Sequence, residues 1–356
     1  MNEVPFYEAA KPLFKEKSRG QINAKDVILK INAFSFGDTL AATPTLRKLA
    51  HSYAKKIIVA TSKPFLFEHN PHVEFTINLN DFKDEFYENY EVLDTFNSIG
   101  KEDKAGIESK YGLFDIRRIH CTEIGFDLRP DEMHCDYYPG PVEFEEKDQE
   151  FINNNNYVVI HIGKNWPSRT WPEDSYKNLI KGLNDEGVAV ALVGFDQSPD
   201  PGKYDHDKSC YAFGDFKFDG VSFMNRTSLD QDYYVTENSD ACITLDTGQL
   251  HLAGCTDTYI VQIGASINPL WRAPYRNGSQ EYKYTFVNGT CNSFCASDPQ
   301  YSVIEHATIN SVPPLPYCLE GRPNYDCQPT WEKVLKTTLK ALGSVDNEPK
   351  ESESGW

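Results

Sequence analysis

The stretch that decides the fold is Asp240-Ala241-Cys242-Ile243-Thr244-Leu245-Asp246-Thr247-Gly248-Gln249-Leu250-His251-Leu252-Ala253-Gly254-Cys255. It begins with a short apolar run typical of a buried strand, and Asp246-Thr247-Gly248 then introduces a helix. Free N–H groups and the positive dipole end converge at a helix start and attract phosphate, and the side chains of Asp246 and Thr247 can cap the helix or contact a ligand. The stretch therefore predicts either a phosphate site or an ordinary N-cap and turn.

Strand and helix patterns alternate along the chain in two successive series. The first series has strands at 26–31 and 56–60, separated by a glycine turn and a helix. The second has strands that alternate with helices at 157–163, 188–194, 241–245 and 259–264. A chain of 356 residues also exceeds the size at which one core stops growing. We therefore predict an α/β protein with two Rossmann-like, doubly wound domains that face each other across a cleft.

The boundaries of these domains follow from composition. Proline and glycine in 127–149 are typical of a crossing between domains. This places an N-terminal domain at 1–145 and a C-terminal domain at 146–342. The acidic, polar segment 343–356 is predicted to be a disordered tail.

Composition excludes several classes of function. Lys and Arg number 35 against 53 Asp and Glu, which gives a net charge of -18. A field of that sign opposes general binding to nucleic acid or anionic lipid. The start of the chain lacks the apolar core of a signal peptide and no apolar run approaches the length of a transmembrane segment, so we expect a cytoplasmic protein. In that compartment the nine cysteines are thiols or metal ligands before they are disulfides.

Four cysteines lie in the irregular, proline-rich segment 291–327. They are Cys291, Cys295, Cys318 and Cys327, with three, 22 and eight residues between them. This spacing matches no standard zinc finger, but four thiols in a short segment suit tetrahedral zinc or iron. We predict a structural metal ion here, the alternatives being four unconnected thiols or two disulfides formed after purification.

Three segments together resemble the heptosyltransferase-like family 9 glycosyltransferases, which have the GT-B fold. The turn and helix at 36–47 are similar to the family's glycine-aspartate turn with its following Thr-Pro and Leu-Arg. The segment 162–172 resembles a glycine turn with a basic residue before Trp-Pro, and 246–253 resembles the most diagnostic stretch of the family. The resemblance implies an inverting, metal-independent transfer of a sugar from a nucleotide-diphosphate donor.

The resemblance also assigns residues to this chemistry, which needs a base for the attacking hydroxyl and positive groups for the departing diphosphate. Asp38 stands at the position of the presumed base, and its alternative role is an N-cap for the helix after Gly37. Arg169 stands where the family usually has lysine, and either cation can hold a diphosphate. The remaining residues expected to bind the donor are Lys164, Thr227, Ser228, Asp246, Thr247, Gly248 and His251.

Some of these residues have a structural alternative. Lys164 is a second cation near Arg169 or a solvated loop residue, and Ser228 is also an obvious N-cap. His251 can donate to the diphosphate, support Asp246, or be a buried structural histidine.

Two functions remain open at this point. The first is a glycosyltransferase of lipopolysaccharide or glycan biosynthesis that uses a nucleotide-diphosphate sugar, with ADP-heptose as one candidate, and a glycan or protein acceptor. The second is a nucleotide-sugar-binding protein that has lost transfer activity, although the presence of both Asp38 and Arg169 favours the enzyme. A dinucleotide dehydrogenase is disfavoured, because neither glycine turn spells G-x-G-x-x-G.

Overall fold

The computed structural model of the chain describes residues 26–33, 35–83, 88–95, 115–163, 169–195, 210–211, 213–294 and 326–345. These residues form two parallel β-sheets with helices packed against them. Both sheets have the strand order of doubly wound proteins, so the predicted α/β class with two Rossmann-like units is confirmed. The domain boundary near residue 145 stays a prediction.

The first sheet has the order β3-β2-β1-β4, and all of its pairings are parallel. Its strands are apolar and buried at the centre, as expected for strands covered on both faces. The elements of this half are β1 (Val27–Ile31), α1 (Phe36–Leu40), α2 (Thr43–Tyr53), β2 (Ile57–Thr61), β3 (Val73–Asn78), β4 (Glu91–Thr95) and α3 (Ile116–Glu123).

The second sheet has the order β10-β9-β8-β5-β6-β7, again with parallel pairings only. Its strands are β5 (Tyr157–His161), β6 (Ala189–Val193), β7 (Gly220–Ser222), β8 (Ala241–Thr244), β9 (Tyr259–Ile263) and β10 (Tyr284–Val287). Its helices are α4 (Glu146–Asn154), α5 (Glu173–Asp185), α6 (Leu229–Glu237), α7 (Gly248–Gly254) and α8 (Trp331–Val345).

Three of these elements were not predicted from the sequence. Strand β7 has only three residues, and β10 has a mixed pattern of four residues without a long apolar run. Helix α4 starts inside the segment that was interpreted as a domain crossing. It was missed because its sequence EKDQEFINN has too few apolar residues to show a helical period. The disordered tail was predicted from residue 343, but α8 continues to Val345, so the prediction was wrong for 343–345. Residues 346–356 lie outside the described residues.

The two halves share apolar contacts. Leu252 of α7 and Tyr233 of α6 belong to the C-terminal half, yet both are buried in the hydrophobic core of the first sheet. Burying a side chain of this size stabilises the contact by about 1.5–3 kcal/mol. The junction is therefore packed, and it brings α7 against the first half of the chain.

Among the described helices, none is both long and apolar enough to cross a membrane.

Candidate active site

The order of strands in the second sheet indicates where a ligand binds. Strands β6 and β7 continue on one side of β5, whereas β8, β9 and β10 lie on the other. The direction of chain progression reverses between β5 and β8, and doubly wound sheets bind ligands at the carboxyl ends of strands at such a point. His161 ends β5 there, and Asp246 and Thr247 follow β8 there, just before α7 begins at Gly248. The strand, turn and helix predicted from 240–255 are thus confirmed.

Asp246 is buried between two arginines at this point. Its side chain is 4% exposed, and Oδ2 lies 2.9 Å from Nη2 of Arg169. The Nε of Arg272 lies 3.9 Å from the other carboxylate oxygen. Two guanidinium groups against one carboxylate leave an excess of positive charge beside the first turn of α7. Sequence reasoning missed Arg272, since it lies in an irregular segment with no motif around it.

Thr247 joins the ends of β5 and β8 through its hydroxyl group. It occupies the N-cap position of α7, but its side chain makes no capping hydrogen bond. Its Oγ1 lies 3.1 Å from Oγ1 of Thr244 and 3.3 Å from Nδ1 of His161. Burial lowers the pKa of His161 to about 4, so this imidazole is neutral near pH 7. His161 was also missed, although its place at the end of a predicted strand was the available signal.

His251 lies on α7 at the contact with the N-terminal half. A Cβ atom added to Gly37 would lie only 2.5 Å from Cδ2 of His251, so glycine is required for this approach. Gly248 similarly leaves room for the ring of Phe36. Burial lowers the pKa of His251 to about 4; the Asp246 charge opposes this and Arg272 adds to it. A neutral His251 thus packs against the turn that carries Asp38.

Asp38 is the third residue of α1 and is half-buried. The N-cap of this helix is Ser35, whose Oγ accepts a hydrogen bond of 3.1 Å from the Asp38 N–H. The alternative role of Asp38 as the N-cap is therefore wrong, because the N-cap is Ser35 and the helix begins at Phe36, three residues earlier than a cap at Asp38 implies.

His120 of α3 forms a hydrogen bond with the backbone of Asp38. Its Nε2 lies 2.8 Å from the carbonyl oxygen of Asp38, and its Nδ1 lies 3.1 Å from Oγ1 of Thr95. A carbonyl oxygen only accepts hydrogen bonds, so Nε2 carries the proton and Nδ1 accepts from the threonine hydroxyl. Burial lowers the pKa of His120 to about 4, which keeps this neutral form. Nothing in the helical pattern around His120 had singled it out.

The two donor residues expected near α6 have contacts at the start of that helix. Ser228 is its N-cap and accepts a hydrogen bond of 3.2 Å from the Gln231 N–H, which confirms the capping interpretation. The hydroxyl of Thr227 lies 2.5 Å from Oδ1 of Asp232. Neither Thr227 nor Ser228 takes part in the ion pair between Arg169 and Asp246. Lys164 lies outside the described residues.

Two of the four late cysteines lie on neighbouring segments. The Gly289 N–H donates to the Cys327 carbonyl at 2.9 Å, and the Cys291 N–H donates to the Asp326 carbonyl at 3.0 Å. Cys291 is buried. Cys295 and Cys318 lie outside the described residues. Within the described part of the chain, no group of three or more His, Cys, Asp or Glu side chains is arranged to hold a metal ion.

The sequence matches the model of one known protein family over part of its length. The family model for glycosyltransferase family 9 (heptosyltransferase) matches residues 122–291. The resemblance to family 9 is confirmed. The matched residues include Arg169, Asp246 and Arg272 but not Asp38. The family 9 match supports a glycosyltransferase activity. No curated protein matches the sequence.

Several solved structures are similar to the chain in fold. A family 9 glycosyltransferase from Veillonella parvula DSM 2008 is 14% identical with a TM-score of 0.61, over 91% of this chain and 99% of that one. The iron-containing dodecameric glycosyltransferase TibC from enterotoxigenic E. coli H10407 is 15% identical with a TM-score of 0.63, over 92% and 81%. ADP-heptose lps heptosyltransferase II of E. coli is 16% identical with a TM-score of 0.50, over 80% and 98%. A second TibC structure, with a TM-score of 0.62, is a complex with ADP-D-beta-D-heptose. At these identities the likeness shows the fold, which is GT-B.

Proposed function

We propose that the chain is an inverting glycosyltransferase that moves a sugar from a nucleotide-diphosphate donor to a hydroxyl group of a glycan or protein. The observation that carries the proposal is the contact between α1 and α7. The turn that bears Asp38 packs against the helix whose start lies beside Arg169, Asp246 and Arg272. A carboxylate and a positively charged site therefore belong to one junction, as transfer from a diphosphate requires.

The positive side of this junction suits the departing diphosphate. When the bond between the anomeric carbon and the phosphate oxygen breaks, negative charge grows on the diphosphate. Arg169 and Arg272 outnumber the single carboxylate of Asp246, and the N–H groups of Thr247 and Gly248 lie at the start of α7. Oriented cations and N–H groups stabilise such charge without reorganisation.

Asp38 is proposed as the general base. Its carboxylate takes the proton of the acceptor hydroxyl while that oxygen attacks the anomeric carbon from the face opposite the diphosphate, which inverts the configuration. The hydrogen bonds from His120 to the Asp38 carbonyl and from the Asp38 N–H to Ser35 support this role, since they fix the backbone that carries the carboxylate. A fixed base avoids the entropy cost of orienting the group during reaction.

ADP-heptose is the first donor to test. The TibC complex contains ADP-D-beta-D-heptose, and TibC shares the fold of this chain. We place Thr227 and Ser228 at the nucleotide side of the donor and His251 beside its diphosphate. Catalysis is proposed to need no metal, and the cytoplasmic location stays a prediction.

The cysteine segment is proposed to hold a structural zinc or iron ion, with Cys291, Cys295, Cys318 and Cys327 as ligands. The hydrogen bonds that pair 289–291 with 326–327 support this, because they bring the first and last of the four cysteines onto adjacent strands of chain. A bound metal ion would stabilise this irregular segment.

A screen of the purified protein against nucleotide sugars tests the proposed function. We expect at least one of ADP-heptose, UDP-glucose, UDP-N-acetylglucosamine or GDP-mannose to raise the melting temperature and to be hydrolysed slowly to the nucleoside diphosphate. Stabilisation without any hydrolysis or transfer would favour a binding protein that lacks activity. No stabilisation by any nucleotide sugar or nucleoside diphosphate would contradict the proposal.

A further inference from the structure

Helix α3 of the N-terminal half contacts both sides of the candidate site. His120 donates to the Asp38 carbonyl, as described above. Arg117 reaches across the junction, and its Nη2 donates to the Ala273 carbonyl at 2.7 Å. Ala273 directly follows Arg272, whose guanidinium lies beside Asp246. Since residues three apart lie on one side of a helix, a single face of α3 contacts the backbone of Asp38 and the backbone of the residue that follows Arg272.

The surroundings of Arg117 hold its guanidinium rigidly. The group is buried, and its Nε donates to Oδ1 of Asp115 at 2.6 Å, while Nη2 donates to the other carboxylate oxygen. The Tyr275 ring lies over the guanidinium, with 4.8 Å between the ring centre and Cζ. Asp115 in turn caps α3 by accepting from the Arg117 N–H at 2.9 Å. Among the described residues, this ion pair reaches the backbone of the other half through the hydrogen bond to Ala273.

A buried ion pair of this kind needs a reason other than stability. Removing two charges from water costs about as much free energy as their attraction returns. Apolar residues of similar size therefore often make a protein equally stable. What an apolar pair cannot provide is a directed hydrogen bond to the Ala273 carbonyl. The geometry of Arg117 therefore suits the placement of the segment that carries Arg272.

We propose that Arg117 and His120 are positioning residues on α3, the first for Arg272 and the second for Asp38. Arg117 fixes the donor-side cation from the opposite half of the chain, and His120 fixes the base. The inference rests on the proposed function, because it assigns Arg272 to donor binding and Asp38 to transfer. It predicts that Arg117 affects the nucleotide affinity, whereas His120, on the same helix, affects kcat.

The Arg117 arm is tested by binding of ADP and UDP, measured by calorimetry. Arg117→Lys keeps the charge beside Asp115 but shortens the reach to Ala273, and the double variant Arg117→Met, Asp115→Asn removes the ion pair without leaving a lone buried charge. We expect both to weaken nucleotide binding by about tenfold, although Arg117 and Asp115 are both buried. Arg118→Gln, on the neighbouring position, should bind as the wild type does. Thermal unfolding confirms that each variant is folded.

The His120 arm is tested by the rate of sugar transfer at saturating donor. His120→Phe removes the hydrogen bond to Asp38, and we expect kcat to fall by about 10–100-fold with nucleotide affinity unchanged, since small displacements of a catalytic group have effects of this size. His120→Gln offers an amide N–H to the same carbonyl and should recover most of the rate. A role in folding alone would not separate the two constants in this way.

The outcomes separate this inference from the proposed function. Unchanged nucleotide affinity in both Arg117 variants, or an unchanged kcat in His120→Phe, would overturn the inference while the wild type still binds and transfers. A wild-type chain that binds neither ADP nor UDP would overturn the proposed function, and this inference with it.

Discussion

Nη2 of Arg169 lies 2.9 Å from Oδ2 of Asp246, although the two residues are 77 positions apart in the chain. The contact joins the loop after β5 to the loop after β8, the two parallel strands between which the progression of the chain across the sheet reverses. It orients the guanidinium before any ligand is bound. The ion pair thus fixes a cation beside the crevice at the carboxyl ends of the strands, where doubly wound sheets bind ligands.

Arg169→Ala should weaken binding of the nucleoside diphosphate. Losing a charge-assisted hydrogen bond to phosphate costs about 1.5–3 kcal/mol, which corresponds to roughly ten to a hundredfold in affinity. Calorimetry with ADP and UDP measures this directly. Arg129→Ala is the matched control, because Arg129 forms an exposed pair with Asp131. Equal affinities in the two variants would remove Arg169 from the donor site.

Gly37→Ala should reduce transfer through the contact between the two halves. The new methyl group would meet the His251 ring at a distance that real Cβ atoms do not adopt, so the ring or the helices α1 and α7 must shift. We expect a loss of about tenfold or more in kcat/KM, since a displacement of about 1 Å at a catalytic group can cost 10²-fold. Gly343→Ala is the control, as nothing lies within 4 Å of the position of its Cβ. Wild-type kinetics in Gly37→Ala would mean that this close contact is not needed for activity.

Asp232 should make the protein less stable as the pH rises. Burial raises the pKa of Asp232 to about 7 in the folded chain, and its hydrogen bond from Thr227 opposes the shift. The folded state therefore holds a proton that the unfolded state releases above about pH 4. This contribution to stability is complete at low pH, falls as the pH rises from about 4 to 7, and is lost above that.

Asp232→Asn tests this titration, because its amide is neutral at every pH. The free energy of unfolding of Asp232→Asn relative to the wild type should rise by on the order of 2–4 kcal/mol between pH 4 and pH 8. Urea unfolding at several pH values measures the difference. Asp215→Asn changes an exposed residue and should show no such trend. A difference for Asp232→Asn that stays constant with pH would show that Asp232 is ionised throughout.

The cysteine segment should contain about one zinc or iron ion per chain. Elemental analysis of protein purified without affinity metals measures the content, and a chelator should lower the melting temperature because the metal binds only the folded segment. Cys291→Ser should lose the metal, whereas Cys242→Ser, at a buried strand position, should keep it. A metal-free wild-type protein with an unchanged melting temperature would exclude a structural metal.

Much of the fold could be predicted from the sequence because its strands are local signals. Runs such as Val27–Ile31 and Ala189–Val193 are apolar, short and bounded by turns, and the strand-to-helix switch at Asp246 is written in consecutive residues. Strands of three or four residues with mixed polarity, such as Gly220–Ser222 and Tyr284–Val287, carry no such pattern. They form because the neighbouring strand offers hydrogen-bond partners, which a local sequence pattern does not record.

The site was predicted only where a motif marks it. Arg169 and Asp246 were assigned to donor binding by resemblance, which stays a prediction, and their pairing in the structure agrees with a common location. His120, Arg117 and Arg272 were missed because their roles come from contacts between segments far apart in the chain, such as the contact between His120 and Asp38, which are 82 positions apart. The alternative capping role given to Asp38 was wrong because the helix starts earlier than predicted and has Ser35 as its N-cap. Helix ends are the least certain part of a pattern-based prediction.

The rate of sugar transfer by Asp38→Asn, measured together with its nucleotide affinity, tests the proposed mechanism most directly. Asparagine preserves the size of the side chain but cannot take a proton, and Ser35 rather than Asp38 caps the helix, so the fold should be unaffected. General-base catalysis contributes about 10²–10⁴-fold, and we predict a fall in kcat of that order with donor affinity nearly unchanged. Transfer by Asp38→Asn at the wild-type rate would contradict the assignment of Asp38 as the base.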